Sequence, residues 1–300
     1  MATTCVTRHL TDRDEEVLLA LDRCPLTVTQ LLKLSSTFGS QTFTRPRSVQ
    51  DRLQKLKGAG WVQSWPYATV SRGGSPDYYK LTLLGFHMLH GQTAPPRTKR
   101  QFVEISVGHH HHTHSLADFV VHTLVAAHRR GIFLKNFYPE NTLPLPIDGE
   151  TLYPDSVFEL HTPDGRQFNF IVELDNGTER VRSDKDTESW QKKIRLYNVL
   201  QDRNYPDRFR VLIVCTRCSG RLRSILKLAA GHATNPQRAL IYGVHLGDYL
   251  NEPDALCRPC FRNHREEPIA LVPQLAPLSV APSSIPDPSP RVLSDPPTVS

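Results

Sequence analysis

The sequence predicts two units of different build, a small helical unit closed by a β-hairpin and a larger α/β layer unit. Three observations predict this. The first ninety residues carry helical apolar stripes punctuated by Pro and Gly and then two short strand-type runs. Beyond a Pro-rich, basic break, strand-type and helix-type runs alternate, which is the pattern of an α/β layer structure. The charge divides at the same place: residues 1–100 hold 14 Lys+Arg against 7 Asp+Glu, leaving 22 against 23 in residues 101–300. A length of 300 residues is enough for about two domains. At 39% hydrophobic and 22% charged residues the composition excludes a wholly disordered or fibrous chain. No run approaches the roughly 20 apolar residues of a spanning helix, and the polar start MATTCVTRHLTDRDEE is not a signal peptide, so a cytoplasmic protein with no membrane partner is expected.

In the first unit, residues 1–90, Thr11 is the expected N-cap of helix one, with Asp12, Asp14 and Glu15 in its first turn and Val17, Leu18 and Leu21 as its apolar stripe. Pro25 ends that helix, Thr27 caps a second carrying Val28, Leu31, Leu32 and Leu34, and a third from Ser48 turns Val49, Leu53 and Leu56 inward before Gly58 and Gly60. The runs 60–65 and 77–82 read as a hairpin around a loop containing Arg72-Gly73-Gly74-Ser75-Pro76, and a fourth helix starts at Thr82. Three helices followed by a hairpin spell a winged helix. The third helix and its flanks carry Arg45, Arg47, Gln50, Arg52, Gln54, Lys55 and Lys57 around the inward apolar positions. Arg and Gln reach base edges in the major groove while Lys and Arg neutralise phosphates, so Arg45, Arg47, Gln50, Arg52 and Lys55, with Arg72 in the wing, are the expected contacts to double-stranded DNA.

Residues 91–114 are expected to be a linker that contains the run His109-His110-His111-His112-Thr113-His114. A polyhistidine loop binds transition metals adventitiously, and its more modest role is a polar lead into the next helix. The second unit, 115–266, opens with a helix 115–130 and continues with strands at 131–137, 155–161 and 167–175, the last two joined by Pro163-Asp164-Gly165 as an antiparallel hairpin. A helix 187–201, a strand 209–215, a helix 221–230 and a strand 239–246 follow. From Pro268 nine of 33 residues are proline, so 267–300 is expected to be a disordered tail.

Two carboxylates on adjacent strand ends, Asp155 in Tyr153-Pro154-Asp155 and Glu173 in Ile171-Val172-Glu173-Leu174-Asp175, can hold a divalent cation such as Mg²⁺ through hard oxygen ligands. This spacing resembles the PD-(D/E)xK core of restriction-endonuclease-like enzymes, and the helix, three strands, helix, strand order is the order that fold uses. That pattern has a lysine two residues after the third-strand acid, where this chain has Asp175; Lys192 or Lys193 on the following helix are the available substitutes. Asp155, Glu173, Asp175 and Lys193 are therefore the candidate catalytic set. Three clustered acids without a metal predict a raised pKa for at least one of them, and the displaced lysine predicts weak or absent cleavage.

The combined pattern is similar to the replication-relaxation family of plasmids and mobile elements. The likeness runs over Thr11-Asp12-Arg13-Asp14, His114-Ser115-Leu116, Tyr153-Pro154-Asp155, residues 170–179 with the run Glu173-Leu174-Asp175-Asn176-Gly177-Thr178-Glu179, Lys193-Ile194-Arg195-Leu196-Tyr197 and Val211-Leu212-Ile213-Val214. What the resemblance implies is a DNA-binding protein of plasmid replication, copy-number control or DNA relaxation, working with replication or mobilisation proteins, and a nuclease-like domain drifted from its ancestor.

Two C-x-x-C pairs, Cys215 with Cys218 and Cys257 with Cys260, have the ligand set of a structural Zn²⁺ site and are expected to converge, because the strands 209–215 and 239–246 should be neighbours that deliver them to one edge. Two other readings compete with a DNA-binding protein. An active Mg²⁺-dependent endonuclease requires Lys192 or Lys193 close to the carboxylates, and a ligand-responsive transcription regulator requires a closed apolar pocket in the α/β layer.

Overall fold

A computed structural model describes residues 10–68, 75–183, 189–203, 208–235 and 238–273. Arg72 and the tail from 274 lie outside the described residues. The first unit follows its caps. Helix α1 (Asp12–Arg23) starts with a capping box in which the Thr11 hydroxyl accepts from the Asp14 amide at 3.2 Å and Asp14 accepts from the Thr11 amide at 3.1 Å. After the two-residue strand β1 (Leu26–Thr27), Thr27 and Gln30 form the same reciprocal cap on α2 (Val28–Leu34). Helix α3 (Pro46–Gly58) starts at Pro46 rather than Ser48, because proline's fixed φ and missing N–H suit the first helical position. Strands β2 (Val62–Pro66) and β3 (Asp77–Leu81) form the expected antiparallel hairpin, β1 joins β3 to complete a three-stranded sheet, and α4 (Leu83–His90) closes the unit with Thr82 as its cap. Val17, Leu18, Leu31, Val49, Leu53, Leu56 and Leu81 make its core.

The expected linker is packed structure. Lys80 on β3 is buried and donates to the carbonyls of Arg100 (3.1 Å) and Val103 (2.7 Å), the Tyr78 hydroxyl accepts from the Ile105 amide at 2.9 Å, and Gln63 donates to the Phe102 carbonyl. The histidine run is helical: α5 (His110–Arg129) begins at His110 rather than Ser115. His110 is buried, its Nδ1 accepting from the Ala68 amide at 2.7 Å and its Nε2 lying 3.0 Å from the Ile105 carbonyl, which fixes the first turn. Ala117 and Val121 of α5 join the first unit's core, while Leu116, Phe119 and Val120 enter that of the second. One helix therefore belongs to both units. Gln30 fastens it further, donating to Asp118 at 2.8 Å and to the His114 carbonyl at 3.3 Å. Asp118 is taken up by Gln30 and by His114 Nδ1 at 3.3 Å.

Next come β4 (Phe133–Tyr138), the small hairpin of β5 (Leu145–Ile147) and β6 (Glu150–Leu152), then β7 (Ser156–His161), β8 (Gln167–Asp175), α6 (Trp190–Arg203), β9 (Phe209–Cys215) and α7 (Ser219–Gly231). The chain ends its described part with β10 (Ile241–His245), α8 (Leu246–Asn251), β11 (Phe261–Asn263) and β12 (Pro268–Ile269). The large mixed sheet has the order β12-β11-β10-β9-β8-β7-β4. Neighbours β4, β7 and β8 are antiparallel, and β8, β9 and β10 are parallel. Val172, Leu174, Leu212 and Val214 face α5 and α8, whereas Ile171, Val211, Ile213 and Cys215 face α6 and α7, the period of two that puts alternate residues on opposite faces. The expected start of the tail is corrected at one point: β12 pairs with β11, Leu271 and Val272 are buried in the α5 face, and Arg166 donates to the Pro273 carbonyl at 2.7 Å. Apolar residues inside a proline-rich composition thus extend the sheet to Ile269 and the packed structure to residue 273. No helix among the described residues is long and apolar enough to cross a membrane.

Candidate functional site

The α/β unit gathers its ionisable side chains at the ends of β7 and β8. Asp155 precedes β7; its amide donates to the Val172 carbonyl at 3.1 Å and its Oδ2 accepts from the Leu174 amide at 2.6 Å, so the carboxylate is clamped to the neighbouring strand. Glu173, on β8, is almost fully buried, and both its oxygens are used: Oε2 accepts from Lys193 Nζ at 2.9 Å and Oε1 from the Tyr197 hydroxyl. Lys193 also donates to Glu179 at 2.7 Å. Burial, with Asp155 nearby, raises the Glu173 carboxyl above its usual range despite these donors. Lys193 is raised as well: burial opposes its charge, but Glu173 and Glu179 outweigh it. Lys192, one residue away, pairs with Glu150 instead.

Asp175 stands apart from this group. Its side chain is 1% exposed and receives Arg221 as a fork, Nε to Oδ2 at 2.5 Å and NH2 to Oδ1 at 2.7 Å, with Trp190 Nε1 donating at 3.1 Å. Burial would raise this carboxyl, yet the donated bonds from Arg221 and Trp190 hold it below its usual value. Of the three acids the sequence singles out, Glu173 is raised and Asp175 lowered. Asp175 is an internal anchor between β8, α6 and α7.

Two residues outside the predicted set join Asp155. His112, in the first turn of α5, has Nε2 3.1 Å from Asp155 Oδ1 and 3.6 Å from Glu140 Oε1. Burial disfavours the charged ring, but Asp155, Glu140 and Glu173 raise His112 to about 9. Glu140 lies in the loop after β4, and burial raises its carboxyl. The loop is stapled to the site by the Asn141 amide donating to the Pro154 carbonyl at 3.2 Å and by the Ser156 hydroxyl donating to the Tyr138 carbonyl at 3.2 Å. Among the described residues, His112, Glu140 and Asp155 form the one group of three or more His, Cys, Asp or Glu side chains whose ligand atoms all lie within 4.8 Å of one another. Glu140 and Asp155 also line a cleft of about 830 Å³ at the junction of the two units, whose wall includes Asp22, Arg23, Lys80, Arg97, Arg100 and Glu104. This cleft opens between the two units and has a mixed wall with many charged side chains, unlike the closed apolar pocket within the α/β layer that a sensor reading requires.

The four cysteines do not come together as a ligand group. Cys215 ends β9 in the core beneath α6 and α7, its Sγ 3.5 Å from Asp175, while Cys257 and Cys260 pack against the core of the opposite face. Cys218 is exposed at the start of α7. The expected convergence of the two pairs fails because the sheet lies between them.

On the first unit, α3 buries Val49, Leu53 and Leu56 and leaves Arg45, Arg47, Gln50, Gln54, Lys55 and Lys57 exposed. Arg47 pairs with Asp51 at 3.0 Å on the surface. Arg52 turns inward and donates to Asp14 at 2.9 Å, which binds α3 to α1.

The model of the replication-relaxation family matches residues 20–209, which takes in α2 to α4, all of α5, Asp155 with the strand it precedes, and the strand carrying Glu173. No curated protein and no solved structure matches the chain.

Proposed function

Since the chain belongs to the replication-relaxation family, we propose that it is a DNA-binding protein of plasmid or mobile-element replication or relaxation, binding double-stranded DNA through a winged-helix first unit and carrying a nuclease-like second unit. The observation that carries the reading is the outer face of α3, where Arg45, Arg47, Gln50 and Lys55 are exposed together over an apolar inner face. A helix with that division presents hydrogen-bond donors to a groove and cations to phosphates without disturbing its own packing. Arg52 is held by Asp14 and contributes to the shape of this face more than to its charge. Binding of duplex DNA, followed by fluorescence anisotropy across a salt series, tests the reading. Neutralising phosphates releases counterions, so Arg45→Ala/Arg47→Ala/Lys55→Ala should weaken binding and flatten the dependence of log K on log salt by about 0.9 per lost phosphate contact. Unchanged affinity and slope in a folded triple variant would refute it.

A second reading, a Mg²⁺-dependent endonuclease, is favoured by the approach of Lys193 to Glu173 at 2.9 Å, since a cation there can offset charge developing on a phosphate. Against efficient cleavage stands the occupation of both Glu173 oxygens, which leaves Asp155 as the single acid of the expected pair open to a metal. Incubation with supercoiled and single-stranded DNA in Mg²⁺ or Mn²⁺ should therefore give weak or no cleavage. Robust cleavage that disappears in Asp155→Ala would establish the endonuclease.

A further inference from the structure

His112 is the residue whose environment is hardest to explain as packing. Its Nε2 is buried, pairs with Asp155 at 3.1 Å and lies 3.6 Å from Glu140, yet its N–H is not directed squarely at either oxygen. A buried ring nitrogen beside acceptors is ordinarily bonded to one of them. Its neighbour His110 obeys that rule with both nitrogens engaged. The three ligand atoms lie within 4.8 Å of one another, close enough to share one centre. Ligands bound at about 2.1 Å are separated by about 3.0 Å at a right angle and about 3.4 Å at the tetrahedral angle, so the two observed separations need only small side-chain adjustments.

We propose that His112, Glu140 and Asp155 bind a divalent transition metal of the Mn²⁺, Co²⁺ or Zn²⁺ class. The set of one imidazole and two carboxylates selects these ions over Mg²⁺, which prefers oxygen alone. Three protein ligands leave coordination positions free, the arrangement of a reactive rather than a purely structural centre. The ligands are held from behind. Asp155 is oriented by the Leu174 amide on its second oxygen, Glu140 by the staple from Asn141 to Pro154, and His112 by the anchored first turn of α5. Outer bonds of this kind fix ligand geometry in metal sites. Glu140 and Asp155 open onto the cleft between the units, which supplies the entry path a metal site requires. The site differs from the acid pair the sequence points to, because Glu173 is engaged by Lys193 and Tyr197 while His112 and Glu140 come from segments outside that pair. It is independent of whether α3 meets DNA.

The test titrates the full chain with Mn²⁺ and reads free ion by electron paramagnetic resonance, with electron spin echo modulation reporting a coordinated imidazole nitrogen. One ion per chain with nitrogen coupling is expected. His112→Gln should abolish that coupling, and both His112→Gln and Glu140→Gln should lower the affinity about tenfold or more. His111→Gln, at an exposed position in the same histidine run, controls for adventitious binding and should change neither. Absence of stoichiometric binding by the parent chain, bound Mn²⁺ without nitrogen coupling, or affinity undiminished in folded His112→Gln and Glu140→Gln would each overturn the proposal. The spectroscopic reading on the parent chain needs no variant to fold, and DNA anisotropy on the same samples keeps failure of this proposal separate from failure of the DNA-binding one.

Discussion

Replacing Arg221 by methionine keeps most of the side chain's length and removes the cation that Asp175 was folded against. Asp175 is 1% and Arg221 18% exposed in their side chains, so this is a buried fork-to-fork pair and not a surface contact. Removing one partner of such a pair typically costs about 3–5 kcal/mol, because the remaining charge stays buried. Here Trp190 Nε1 still donates to Asp175 and water can follow the partly exposed Arg221 position, which sets the expected loss near the lower end, about 3 kcal/mol. For a unit of this size that is a fall in Tm of about 6–12 °C. The pH dependence gives the sharper signature. In the parent chain the folded pKa of Asp175 lies below its unfolded value of about 3.9, so its stabilisation is complete above that pH and is lost as pH falls through the depressed folded value. Without Arg221, burial dominates and raises the carboxyl, so the penalty should be largest at neutral pH, start to shrink as pH falls through the variant's raised pKa above about 4, and shrink further below about 4 as the parent loses its own stabilisation. Urea unfolding followed by circular dichroism at several pH values measures both, and Asp175→Asn/Arg221→Met should recover most of the loss. A single variant within about 0.5 kcal/mol of the parent at pH 7 would refute the anchor role, as would a penalty that does not change with pH.

Three further outcomes follow from packing. Leu53→Ala, in the buried face of α3, should cost about 2–5 kcal/mol in urea unfolding and weaken DNA binding through loss of fold, an effect that cooling or an osmolyte partly reverses. Gly85→Ala would put a Cβ 2.1 Å from the Trp61 carbonyl oxygen, which already accepts from the Thr82 amide, so a loss of about 3 kcal/mol is expected from displacing α4; an unchanged melting temperature would contradict that contact. Ending the chain at Glu267 removes β12 and the buried Leu271 and Val272, at about 1.5–3 kcal/mol for each side chain, whereas a chain ending at Pro273 keeps these contacts and serves as the reference in thermal denaturation.

What the sequence determines by itself is whatever neighbours along the chain decide. Thr11 with Asp14 and Thr27 with Gln30 set the starts of α1 and α2, and alternation sets β7, β8 and β9, because caps and periodicities act within a few residues. The hairpin of β5 and β6 is equally legible: Asp148-Gly149 is a two-residue turn with φ of 51° and 82°, the conformation that Asp-Gly favours. Period two also places Cys215 on the face of Val211 and Ile213, but the face reached by Cys257 depends on the path of the chain after β10. The same limit governs the charged residues. Arg52 looks like the other cations of α3 until the packing of α3 on α1 turns it to Asp14, and Asp175 looks like a third acid until α7 delivers Arg221. His112 and Glu140 carry no local mark that joins them to Asp155. They meet it because the first turn of α5 is pinned by His110 and the loop after β4 is pinned to Pro154, two contacts between distant segments whose geometry exists only once the sheet and helix have packed.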